Sequence, residues 1–156
     1  MKFRTKSGIC EMGHFAEFNV ANARWPLDDP RMAGFSDNVD KINRIAERSP
    51  GFVWRLVDED DPAAPRFAEE DNVIFTLSVW ESVEALRQFT WNTAHKQFRL
   101  RRDEWFKPMS EAYLAIWPIA EGHRPDGMEA LTHLGLLRAH GPSEHVFGTE
   151  ALRADA

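Results

Sequence analysis

His95 has the best setting for chemistry in this chain, because Thr93 can cap a helix that would carry it at the second position. There the partial positive charge of the helix N-terminus disfavours imidazolium and keeps the ring neutral. A neutral imidazole can accept a proton, pass one on, or ligate iron through a ring nitrogen. Phe98, Arg102 and Trp105 follow at +3, +7 and +10, along one helical face. With Trp80, Phe89 and Trp91 close by in sequence, that face outlines one wall of an aromatic cavity with a few polar groups, a common design for a small-molecule site. The same residues have plainer uses. A histidine after a capping threonine often bonds a carbonyl or carboxylate, tryptophans often serve the core, and Arg102 between two aromatics can simply pair or snorkel.

Other chemical patterns are weak. The acidic run over residues 58–61 lacks the glycine and the twelfth-position glutamate of an EF-hand loop. His133 and His140 are seven apart on an expected helix, with no third ligand in reach by sequence. Cys10 has no obvious activating partner. Glycine-rich phosphate loops, nucleophile elbows and HExxH are all absent. No metal site and no dedicated cofactor motif are expected.

The elements that must hold His95 can be read in order. Residues 14–20 (HFAEFNV) have the aromatic and β-branched content of a strand. Asp29 followed by Pro30 is a helix start, and Met32, Phe35, Val39, Ile42 and Ala46 recur at helical spacing up to the Ser49-Pro50-Gly51 stop. Residues 52–57 form a second strand, 58–71 a long exposed connection, and 73–80 a third strand apolar enough to be buried on both faces. Ser82 caps the next helix, with Val83, Leu86 and Phe89 as its apolar stripe, and the His95 helix runs to about Phe106. Residues 112–117 give a fourth strand closed by Pro118, and 126–139 a last helix.

This order is α+β, a ferredoxin-like βαββαβ arrangement with an antiparallel sheet and an extra C-terminal helix. Residues 1–12 read as a loose N-terminal extension, 13–142 as the domain and 143–156 as a loose tail. With the helices on one face, apolar strand residues of both parities leave a second face to cover, which predicts a homodimer through packed sheets.

Bulk properties set the remaining bounds. A chain of 156 residues, 43% apolar and 28% charged, is one ordinary domain that folds without a disulfide or metal. A single cysteine fits a reducing compartment. The first residues lack an apolar signal-peptide core, and no run approaches the roughly 18 apolar residues of a spanning helix, so a cytoplasmic location is expected. Residues 58–71 carry seven carboxylates against Arg66 alone, which equals the whole net charge of −6. Nothing resembles the basic surface of a nucleic-acid binder.

Several stretches resemble an uncharacterised bacterial domain family of the dimeric α/β-barrel superfamily. They are PLDDPRMA at 26–33, ERSPGFVWRL at 47–56, SVWESVEAL at 78–86, Ala94-His95 and Glu104-Trp105-Phe106, and the likeness spans about residues 13–142. That superfamily includes antibiotic-biosynthesis monooxygenases, haem-degrading monooxygenases and stress-responsive barrel proteins. The resemblance implies a dimer and a monooxygenase-like enzyme acting on a small aromatic or polycyclic molecule, with no cofactor evident. One alternative is a non-catalytic dimer that binds a small apolar ligand, with haem as a candidate, and another is a purely structural module. Haem-degrading members use an asparagine on the first strand and a tryptophan and a histidine on the helix after the third strand. Asn19 and His95 resemble two of these, whereas Phe89 stands near the tryptophan's position and Trp91 lies too close to His95. On this reading His95 is polar partner or base, Asn19 contacts an oxygen or oxyanion, and Trp54, Trp80, Trp91 and Trp105 are walls.

Overall fold

The computed structural model describes residues 13–58, 60–68 and 71–153. The expected extension over residues 1–12 lies outside them. Strands β1 (His14–Asn22), β2 (Phe52–Arg55), β3 (Val73–Trp80) and β4 (Leu114–Ile119) form one sheet in the order β2-β3-β1-β4, antiparallel at every pairing. This is the ferredoxin-like α+β order. β4 runs through Pro118 where a stop was expected. It is an edge strand, and an edge tolerates a residue that cannot donate to the ladder.

One face of the sheet is covered by α1 (Ala33–Ser36), α2 (Val39–Glu47), α3 (Val83–Asn92), α4 (His95–Leu100) and α5 (Arg102–Trp105). The expected helix over 30–48 is broken. A 3-10 turn at Pro30–Met32 leads into α1, and the chain kinks at Asn38 before α2. There Ser36 Oγ donates to the Met32 carbonyl and Asn38 Nδ2 to that of Gly34, so side chains compete for the backbone. Ser82 caps α3 as its type predicts, accepting from the Ala85 N–H at 3.0 Å.

The other face is not bare, which corrects the expectation that all helices share one side. α6 (Gly127–His140) lays Ala130, Leu134 and Leu137 against Phe18, Val20 and Trp117. Leucines and methionine ring this helix, so no pattern in its sequence selects a side. Its start is positioned by the acidic loop. A Cβ on Gly127 would stand 2.3 Å from the Pro65 nitrogen and 2.6 Å from its Cα, while the Gly127 N–H donates to the Ala63 carbonyl. Gly127→Ala is therefore expected to cost roughly 1–3 kcal/mol, because backbone must move to make room. Thermal denaturation checks it.

Residues 143–153 are a strap, which corrects the expected loose tail. Ile116 and Phe147 exchange backbone hydrogen bonds at 2.8 and 2.9 Å, and Val146 is buried beside α6. A 3-10 turn at Thr149–Leu152 then brings Leu152 into the core against α3. Arg87 Nη2 and Trp91 Nε1 hold it there by donating to the Ala151 and Leu152 carbonyls. The stretch lacks hydrophobic periodicity because a strap is fixed by isolated anchors. Among the described residues no helix is long and apolar enough to cross a membrane.

Candidate functional site

Between the sheet and α2–α5 lies a cavity of about 420 Å³. Its volume is that of a small-ligand site. The floor comes from alternate residues of the two central strands, since side chains two apart share a face. Register places Glu17 opposite Ser78 and Asn19 opposite Thr76, so four polar side chains meet on the strand floor.

Glu17 is the centre of that floor and is 5% exposed. Its carboxylate accepts from Asn19 Nδ2, from Ser78 Oγ at 3.1 Å and from Thr76 Oγ1 at 3.3 Å. Ser78 Oγ in turn accepts from Trp80 Nε1 at 3.0 Å, which aims the serine proton at the carboxylate. Burial pushes the Glu17 carboxyl up to about 6, and the three hydrogen bonds and the charge of Arg99 keep it from rising further. Such a group is ionised at neutral pH yet more basic than an ordinary carboxylate.

The helical wall carries the other polar groups. His95 Nδ1 lies 3.3 Å from the Thr90 carbonyl, which can only accept, so the proton is on Nδ1 and Nε2 keeps its lone pair. Burial holds the imidazole below its ordinary range; the Thr90 bond opposes this and the Arg99 charge adds to it. The direction is the one that disfavours imidazolium, with burial and not the helix N-terminus as its first cause. Its face packs on Phe89 at 4.7 Å. Arg99 Nη2 donates to Tyr113 Oη at 3.3 Å, and the Arg102 guanidinium lies 4.2 Å over the Tyr113 ring. Burial pushes the Tyr113 phenol up, but the Arg99 hydrogen bond and both arginine charges outweigh it, leaving the phenol below its usual range.

Of the residues singled out by sequence, Asn19, Trp80, Phe89, His95, Phe98, Arg102 and Trp105 line the cavity. Trp54 and Trp91 do not, which corrects their placement as walls. A register shift between Phe52 and Trp54 turns Trp54 to the α6 face, where Arg124 covers it at 5.6 Å. Trp91 points to the strap and spends its N–H on Leu152. Asn19 is also not a free donor, because its Nδ2 is engaged by Glu17 and Thr76. It positions the carboxylate.

Glu17, Arg99 and Tyr113 were missed. A signal was present: Glu17 and Asn19 share parity in the first strand and Thr76 and Ser78 in the third, so polar residues interrupt both strands on one face. Tyr113 is the sole tyrosine and precedes β4, with nothing local to connect it to Arg99. Among the described residues no group of three or more His, Cys, Asp or Glu is placed to hold a metal ion.

No curated protein matches the chain. Among the solved structures similar to this chain is SnoaB, a cofactor-independent oxygenase from Streptomyces nogalater, with 14% identity and a TM-score of 0.50 over 70% of this chain and 96% of that one. Another, from Chloroflexus aurantiacus, is provisionally described as an antibiotic biosynthesis monooxygenase, with 14% identity and a TM-score of 0.45 over 71% and 97%. At that identity the likeness to SnoaB establishes a shared fold alone. A family profile described as Domain of unknown function (DUF3291) matches residues 14–155, nearly all of the domain and its strap, and the chain belongs to that family.

Proposed function

We propose that this protein is a monooxygenase-like enzyme that oxidises a small aromatic or polycyclic molecule without a dedicated cofactor, with Glu17 as its base. The observation that carries the reading is a buried carboxylate, raised to about 6, on the floor of an aromatic cavity. Glu17 would take a proton from an acidic C–H of the substrate, and the resulting carbanion is electron-rich enough to reduce oxygen directly. For an activated methylene the balance is CH2 + O2 → C=O + H2O, the hydroperoxide formed first losing water. Neutral His95 offers Nε2 as a second proton acceptor. Trp80, Phe89 and Phe98 supply flat apolar walls. SnoaB is a cofactor-independent oxygenase, and extending its activity to this chain is analogy.

Anthrone, a tricyclic ketone with an acidic methylene, is a suitable probe. Enzyme-dependent oxygen uptake with chelator present and no added flavin or metal is expected, rising with pH through an apparent pKa near 6. Uptake that Glu17→Gln leaves unchanged refutes the base.

Haem binding is the second reading, favoured by the one observation that the His95 tautomer leaves the Nε2 lone pair for an iron. On the first reading, hemin titration gives no saturable Soret band. A saturable band lost in His95→Ala would establish the second instead.

We also propose that two copies pair through the α6-bearing face. Trp54, Leu56, Val73 and Phe75 are only partly covered there, and α6 leaves Met128 75% exposed. Sedimentation at micromolar concentration is expected to show a dimer, and a monomer refutes the pairing.

A further inference from the structure

Arg99 and Arg102 stand three residues apart, straddling the α4–α5 junction, and both reach the same phenol. Guanidinium groups stay charged at any accessible pH, so two of them around one small ring repel each other. Elsewhere Arg31, Arg55, Arg87, Arg101 and Arg138 each have a carboxylate partner within 4.0 Å. Arg99 and Arg102 have none among the described residues. The acid that feels Arg99 is Glu17, which forms no ion pair with it and spends its oxygens on Asn19, Ser78 and Thr76. Both arginines nonetheless line the cavity, as does Tyr113. A wall with two uncompensated cations and a phenolic O–H, set beside the aromatic side chains of Trp80, Phe89 and Phe98 that line the same cavity, is complementary to one anionic group on a flat hydrophobic body.

We propose that the ligand is an aromatic carboxylic acid, its carboxylate held by Arg99 and Arg102 beside the Tyr113 hydroxyl and its ring system filling the cavity over Glu17. This rests on reading the cavity as the substrate site, and it names the substrate's class. The lowered Tyr113 phenol is consistent with a locally positive field. The arrangement also orients the substrate. Anchoring the anionic end at the helical wall directs the ring carbons toward the strand floor, and keeps the substrate's own charge away from the Glu17 carboxylate.

Calorimetric titration with 2-naphthoate and its neutral isostere 2-naphthamide tests this. Naphthoate is expected to bind at least about tenfold tighter, as one charge-assisted contact of roughly 1.4 kcal/mol implies. Raising the salt should weaken naphthoate alone. Arg99→Gln and Arg102→Gln should each reduce the preference and the double variant abolish it, with naphthamide affinity unchanged. Arg102→Lys, which keeps charge and stem, should retain part of it. Equal affinities, no binding of either probe, or arginine variants that weaken both probes alike would overturn the proposal. Its failure is separable from that of the oxidation chemistry. Glu17→Gln should keep the naphthoate preference, so a preference without oxygen uptake refutes the oxygenase reading and leaves the anion site standing. Uptake without a preference does the reverse.

Discussion

Glu17→Gln should lower turnover by roughly 10²–10⁴-fold while making the protein more stable above pH 7. The first effect is the usual worth of a positioned general base. The second follows from proton linkage. The folded-state carboxyl is raised from 4.5 to about 6, so the native state binds the proton more tightly than the unfolded chain. Its stabilising contribution is therefore complete below about pH 4.5 and is lost as pH rises through 6. The shift corresponds to about 2 kcal/mol at alkaline pH, an upper value for what glutamine can recover. Recovery will be smaller, because Asn19, Ser78 and Thr76 all donate to Glu17 and glutamine offers one acceptor and one donor group. A gain near 1 kcal/mol would raise Tm by about 2–4 °C in a domain of this size. Calorimetry at pH 5 and pH 8 checks the sign: the variant's advantage should appear at pH 8 and shrink at pH 5. A residue whose removal both stabilises the fold and abolishes activity is retained for function.

Trp80→Ala should cost about 3–5 kcal/mol, a large share of a domain's total stability. Trp80 is 1% exposed, stacks on Phe89 at 5.3 Å and meets Phe52 edge-on at 5.4 Å. It sits at the end of β3, joining β1, β2 and the α3 layer through one side chain. Truncation opens a void continuous with the cavity and releases Ser78 from the tryptophan N–H. Urea denaturation measures the first effect as a fall in midpoint. Trp80→Phe separates the two. It keeps most of the packing, so its stability loss should be less than half that of alanine, while losing the Ser78 bond entirely. If Ser78 orientation matters to Glu17, the pH profile of oxygen uptake shifts in the phenylalanine variant as well.

The strands and helices were legible where local rules suffice. The strand over 73–80, the Ser82 cap and the histidine bonding a carbonyl each depend on neighbours within a few residues. The break at Asn38 was less legible because Ser36 and Asn38 bond back four residues against an otherwise helical pattern. Two larger errors have a common origin. α6 carries apolar residues all round, so only packing on Phe18 and Trp117 selects its face. The strap is held by Phe147, Ala151 and Leu152 through partners more than 30 residues away in sequence.

His95 seemed the natural centre of the chemistry because the residues that frame it are its sequence neighbours. The tertiary structure gathers the polar side chains of the strand floor on Glu17, and places His95 in the wall of the same cavity, bonded to Thr90. Sequence by itself determined the order of elements, the sheet's central strands and the aromatic character of the helical wall, since periodicity and capping are local properties. The tertiary structure alone decided that Glu17 faces Ser78, that Asn19 faces Thr76 and that Tyr113 joins Arg99 and Arg102. Those meetings depend on antiparallel register between segments about 60 residues apart, or on a chain reversal after α5, and a one-residue slip in that register would turn every one of these strand side chains to the other face.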